Sequence, residues 1–110
     1  MAEFVKGDVV VVPFPFSDLT QVKKRPAFVL ATLSGNEVIL CLITSKDISD
    51  EYSIGISEND FKSGKLSVSC QVRPNKIFTA EKAIIIYRAG TLKDAKGQEI
   101  FERIISILSQ

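Results

Sequence analysis

The sequence predicts a mainly β protein, a small β-barrel carrying one C-terminal α-helix. Three observations predict it. Short β-branched runs recur at even spacing over the first two-thirds of the chain, turn residues separate them, and a three- and four-residue apolar period appears only near the C-terminus.

The elements follow in order. Gly7-Asp8 leads into Val9–Val12, a strand that meets Pro13 and Pro15. Proline lacks the amide donor a central ladder requires, so the strand stops there or lies at an edge. Phe14 to Lys24 reads as a polar loop. Strands over Ala27–Thr32 and Glu37–Ile43 are joined by Ser34-Gly35-Asn36, whose residues suit a tight hairpin. The second of these is apolar on both faces, which points to cover on both sides, from a dimer or a closed barrel. After a polar loop at Ser45–Asp50, a strand is expected over Tyr52–Ile56, then a turn or helical piece over Ser57–Lys65 ending at Gly64. Leu66–Val72 alternates as a strand, Arg73-Pro74-Asn75 bends it, and Lys76–Thr79 resumes. Ile84–Tyr87 is a further strand, closed by Ala89-Gly90.

Near the C-terminus Ile100, Phe101, Ile104, Ile105 and Leu108 recur on one helical face, with Glu99, Glu102, Arg103 and Ser106 on the other. Asp94 suits the N-cap, although Gly97 weakens the first turn by ~1 kcal/mol relative to Ala. Burying five large apolar side chains, at roughly 1.5–3 kcal/mol each, is ample to dock this stripe on a sheet. No repeat, linker or low-complexity tract divides the 110 residues, which read as a single domain.

Composition narrows the chemistry. The chain has no histidine, so a His general base, a Ser-His or Cys-His couple and a His-ligated metal are excluded within one chain. Cys41 and Cys70 lie among apolar residues, where a free thiol packs as a small hydrophobe. Fourteen Lys and Arg against 13 Asp and Glu leave a net charge of +1. That is too balanced for a protein that coats nucleic acid without selectivity, but it permits a local basic cleft. Apolar runs such as Val38–Ile43 are far shorter than the ~20 residues of a spanning helix. Residues Met1–Lys6 carry no secretion pattern, so a cytoplasmic protein with no membrane role is expected. With no Trp and two Tyr, a peptide-binding adaptor with an aromatic groove is disfavoured.

One constellation remains. Lys23-Lys24-Arg25-Pro26 precedes an apolar strand, and Pro26 biases Arg25 to an extended conformation. Thr44-Ser45-Lys46 ends the next strand. If the two strands form the hairpin, their far ends are neighbours, and Arg25 lies close to Thr44. A planar guanidinium fork beside a hydroxyl and lysines suits a phosphate. In RNA the 2′-hydroxyl can attack the adjacent phosphorus, so neither a metal nor a protein nucleophile is required. Alternatively, Lys-Lys-Arg is a solvated face and Thr-Ser simple turn chemistry.

The order Gly7-Asp8-Val9-Val10, Phe14-Pro15-Phe16-Ser17-Asp18, Lys24-Arg25-Pro26-Ala27-Phe28-Val29-Leu30, Leu42-Ile43-Thr44-Ser45, Gln71-Val72-Arg73 and Gly90-Thr91-Leu92 resembles the MazF/PemK toxin family along nearly the whole chain. The resemblance implies an SH3-like barrel of the MazF/Kid/CcdB type with a C-terminal helix. It further implies a homodimer and metal-independent, cofactor-free cleavage of single-stranded RNA, including mRNA, at short sequences. A cognate antitoxin would be the partner, with DNA met only through the antitoxin complex. The family's key arginine falls on Arg25 and its key threonine on Thr44. Phe16, Ser17, Lys23, Lys24, Ser45, Lys46 and Arg73 become expected RNA contacts. Phe14 and Phe16 could either stack on unpaired bases or pack against the barrel. The chain departs from well-known members in lacking their Gly-rich loop, and it has Ser and Cys in the Ser67–Gln71 strand where some place a carboxylate. That second departure leaves room for a non-catalytic or protein-targeting member of the same fold.

Overall fold

The computed structural model of the chain describes residues 4–15, 22–45 and 50–110. Its strands are β1 (Asp8–Pro15), β2 (Val22–Thr32), β3 (Glu37–Thr44), β4 (Ile54–Ile56), β5 (Phe61–Gly64), β6 (Cys70–Glu81) and β7 (Tyr87–Leu92). One helix, α1 (Asp94–Leu108), follows. The strands form a single antiparallel sheet in the order β4-β6-β3-β2-β1-β7-β5, curled into a half-barrel.

The central ribbon β1-β2-β3 is covered on both faces. Val9, Phe28, Cys41 and Ile43 join Ile100 and Ile104 of α1 in one core. The alternate residues Val10, Val12, Ala27, Val29, Val38 and Leu40 form a second, closed over by Phe4, Phe78, Ala80 and Ile85. The chain itself therefore supplies the two-sided cover that the apolar pattern of β3 requires.

The prolines end no strand. β1 continues through Pro13 and Pro15, pairing them with Lys24 and Val22 of β2, whereas its pairing with β7 ends at Val11. Beyond Val11 the β7 side of β1 has no ladder for a missing N–H to interrupt, which is the edge position open to proline. Pro26 is placed likewise, since the β2–β3 pairing begins only at Ala27. Pro74 sits where β6 shifts register against β3, and one strand runs through it from Cys70 to Glu81.

Other elements differ from the sequence pattern. Residues 66–69 are not strand, and β6 begins at Cys70. A 3-10 turn at Glu58–Asp60 leads into β5, which the sequence conceals because its polar FKSG shows no alternation. The last strand is β7 rather than Ile84–Tyr87, with a 3-10 turn at Lys82–Ile84. It runs through Gly90, where β5 crosses so closely that an added Cβ would meet the Ser63 carbonyl and the Phe61 ring.

The helix buries less than its stripe promises. Ile100 and Ile104 are buried and Phe101 meets Phe28 edge-on at 6.0 Å, but Ile105 is 62% exposed and Leu108 75%. At 3.6 residues per turn Ile105 falls on the flank of the buried stripe, and Leu108 lies in the terminal turn. Asp94 is the first helical residue, not the cap. Lys93 occupies the N-cap position, and Asp94 pairs with Lys62 at 3.3 Å. Two cationic residues of the helix, Lys96 and, from the face opposite the apolar stripe, Arg103, are anchors. Lys96 donates to the Gly55 carbonyl at 3.3 Å, and Arg103 donates to the Glu51 and Tyr52 carbonyls at 3.2 and 3.1 Å, fixing the approach to β4.

A second anchor holds the N-terminal segment. The buried Asp8 carboxylate accepts hydrogen bonds from the Val5 amide (3.0 Å), Arg88 Nε (3.0 Å) and the Thr91 hydroxyl (2.9 Å).

Three expectations follow from this packing. A Cβ at Gly97 would lie an ordinary 3.7 Å from Phe28 Cζ, so Gly97→Ala should stabilise the protein by up to ~1 kcal/mol in urea unfolding. Asp8→Asn keeps only one acceptor oxygen for three donors and should lose about 1–3 kcal/mol in the same measurement. Burial pushes the Cys41 thiol up to about 12, and its Sγ donates to the Arg73 carbonyl at 2.9 Å. A thiol reagent at pH 8 should therefore leave Cys41 unlabelled until denaturant is added.

Candidate active site

Register alone assembles the site. β1 pairs Val12 with Arg25, and β2 pairs Ala27 with Leu42 of β3. The β2–β3 ladder ends at that pair, and counting its antiparallel register on by two residues brings Arg25 towards Thr44. β6 continues the line, because Thr44 pairs with Gln71 and Gln71 pairs in turn with Gly55 of β4. Cross-strand partners share a face, so Thr44, Gln71 and Gly55 form one row across three strands, with about 5 Å between neighbouring strands, and Arg25 stands at its β2 end just beyond the last β2–β3 pair. The adjacent row, Ile43, Val72 and Ile54, belongs to the core under α1. By alternation the Thr44 row takes the other face.

Two adjoining clefts open around the end of β3. One, of about 410 Å³, is lined by Lys23, Lys24, Arg25 and Pro26 of β2, Ser45, residues Leu66 to Val68, Cys70, Val11 and Tyr87. The second, of about 450 Å³, is lined by Ser45, Gly55, Ile56, Ser57, Asp60, Ser69, Cys70 and Gln71. Ser45 and Cys70 form the wall between them. The first contains three cationic side chains and no carboxylate among its lining residues. The second is rich in hydroxyl and amide groups.

The expected site residues distribute unevenly. Lys23, Lys24 and Ser45 are exposed, Arg25 is half-buried, and all four line the cationic cleft. Thr44 is only 5% exposed and lines neither cleft, so any contact it makes with a substrate is confined to a small edge. Arg73 is committed within the chain, its guanidinium pairing with Asp50 at 3.0 Å while its side chain is 14% exposed. Its buried Nε has no hydrogen-bond partner among the described residues. The amides of Ser53 and Tyr52, with Arg73 beside them, hold the Asp50 carboxyl below the usual carboxylate range. Phe16, Ser17 and Lys46 lie outside the described residues. Phe14 packs edge-on against Phe78, ring centroids 5.6 Å apart, as a component of the barrel.

Several lining residues escape a reading of the sequence alone. Gln71 stands in the Gln-x-Arg motif, yet only pairing with Thr44 gives it a place in the row. Tyr87 and the irregular stretch 66–69 carry no local signal. Cys70, read as inert, lines both clefts, and burial raises its thiol pKa.

Comparison with known proteins agrees with this architecture. The family model for the PemK-like, MazF-like toxin of type II toxin–antitoxin systems matches residues 5–108. Among solved structures, an endoribonuclease from a Mycobacterial species superposes with a TM-score of 0.74 at 15% identity, covering 99% of this chain and 94% of that one. The MazE–MazF complex (Form-III) of Deinococcus radiodurans gives 0.76 at 16% identity, covering 96% of each chain. A Mycobacterial endoribonuclease in complex with its cognate antitoxin gives 0.71 at 14%, covering 97% and 96%. No curated protein matches the chain significantly by sequence. With one family model spanning nearly every residue and its fold repeated in these structures, the chain belongs to the PemK-like, MazF-like toxins of type II toxin–antitoxin systems.

Proposed function

We propose that this protein is a metal-independent, sequence-selective endoribonuclease that cuts single-stranded RNA in the cationic cleft at the end of β3. The observation that carries the reading is the grouping of Arg25 with Lys23, Lys24 and Ser45 in one cleft large enough for a phosphodiester and its flanking sugars, at the strand end where β3 closes on Thr44.

In that cleft the scissile phosphate lies against Arg25, whose planar donors match two non-bridging oxygens. The RNA supplies its own nucleophile. The 2′-oxygen forms a bond to phosphorus as the bond to the 5′-oxygen breaks; the 2′-hydroxyl gives up a proton, and the departing oxygen gains one. Arg25 stabilises the negative charge that grows on the phosphoryl oxygens, the kind of fixed donor whose loss costs on the order of 10²–10³ in rate. Thr44 and Ser45 supply hydroxyl donors at the neighbouring strand end. Lys23 and Lys24 hold adjacent phosphates and make binding salt-dependent. The expected RNA contacts Phe16, Ser17, Lys46 and Arg73 belong to this reading too, with Arg73 first having to exchange its Asp50 partner.

A protein antitoxin and a second copy of this chain complete the proposal, in the cytoplasm. The Deinococcus and Mycobacterial relatives in antitoxin complexes support the first. Exposed Ile84, Ile86, Tyr87, Ile105 and Leu108 give either partner apolar surface to cover. DNA would be met only through the antitoxin complex.

One observation favours a second reading. Among the described residues that line the cationic cleft there is no carboxylate to accept the 2′ proton. A member that binds RNA or a protein target without cutting would fit that lining.

Incubating the protein with a mixed single-stranded RNA pool in EDTA and mapping the cut ends separates the two. Cleavage should persist with chelator and fall by roughly 10²–10³ in Arg25→Ala. Thr44→Val and Ser45→Ala should each lose less than Arg25→Ala. Failure of the wild type to cut any RNA at high enzyme would leave the non-catalytic reading.

A further inference from the structure

Gly55 sits in the middle of β4 without a backbone reason. Its φ is not in the left-handed region, and a Cβ built there meets no atom within 4 Å. Glycine weakens a strand, and in a strand interior it often marks a place where a ligand or another backbone approaches closely. No described backbone approaches Gly55 on that side. What lies there is the 450 Å³ cleft, whose lining includes Gly55 itself.

The chemistry of that cleft differs from that of its neighbour. Ser45, Ser57, Ser69 and Gln71 line it, all neutral and able both to donate and to accept. The side chains of Ser45, Ser69 and Gln71 hydrogen-bond to no described residue. Its one carboxylate is already engaged, since Asp60 accepts from the Ser57 amide at 2.8 Å and lies 3.8 Å from Lys96. A neutral cleft of donors and acceptors is a poor phosphate site. It does suit the Watson–Crick edge of an unpaired base, where specific RNA readout occurs. Ser45 and Cys70 join this cleft to the cationic one, Gln71 pairs with Gly55 across its floor, and the bare flank at Gly55 leaves room beside the Gln71 amide.

We infer that the cleft between β4 and residues 69–71 is a nucleobase-reading subsite. It receives one unpaired base of the RNA whose phosphate binds at Arg25, and Gln71, Ser69 and Ser45 read that base's edge; this rests on the endoribonuclease reading above. Gly55 is kept small so that the base can enter.

The test uses Gly55→Leu, whose Cβ meets no protein atom within 4 Å and whose side chain adds bulk at the cleft wall, and Gln71→Leu, which removes the amide. Cut ends from a randomised RNA pool are sequenced for the wild type and both variants, and amide NMR spectra of the wild type and Gly55→Leu are titrated with the four ribonucleoside monophosphates. Base preference at one position adjoining the cut should flatten by roughly tenfold or more in both variants, with preferences elsewhere kept and the unfolding midpoint of Gly55→Leu not lowered. Unchanged preference at every position in both variants overturns the inference. If the wild type cuts no RNA, the nuclease reading fails and the titration decides alone. Shifts of the Gly55 and Gln71 amides with at least one nucleotide, lost in Gly55→Leu, would uphold a base site; their absence would overturn it.

Discussion

Burial of the β1-β2-β3 ribbon on both faces is the constraint from which the rest of the molecule follows. Because side chains alternate, a slip of one residue of β3 along β2 would turn Cys41 and Ile43 towards the second core and Val38 and Leu40 towards the first, breaking two cores at once. Few arrangements are so strongly specified. The same register that aligns Ala27 with Leu42 carries Arg25 towards Thr44, so the candidate site takes its placement from apolar packing.

The prolines show how such a ribbon also makes an opening. Pro13, Pro15 and Pro26 all lie where a strand has lost one of its two neighbours, and Pro74 lies at a register shift. Each marks a place where the ladder is incomplete, and the cationic cleft forms around the incomplete end of β2 and β3. Opening and folding therefore use the same residues. The helix contributes from the other side of the sheet. Through Lys96 and Arg103 it holds β4, a three-residue strand with little pairing of its own, and so fixes the far wall of the neutral cleft.

Arg73 shows that a cation's place in the chain does not fix its surroundings. The resemblance makes it an expected RNA contact, and in the fold it lies mostly buried and paired with Asp50. In contrast, Lys23 and Lys24 stay exposed because the first residues of β2 pair only with β1. Pairing of the strand beneath decided which cations remained available, and no count of charges could.

The sequence by itself determined the β-rich class, the hairpin at Gly35, the C-terminal helix and the chemistry excluded by the absence of histidine, since each depends on local periodicity, turn residues or composition. It also placed Arg25 and Thr44 at neighbouring strand ends, because a hairpin relates positions by simple counting. Only the tertiary structure decided that β5 exists, that 66–69 is a cleft wall rather than a strand, that Ile105 and Leu108 stay exposed, and that Gln71 and Gly55 stand in one row with Thr44. Those outcomes depend on pairing between segments far apart in the chain, where the local pattern of apolar and polar residues is the same whether or not a partner strand arrives.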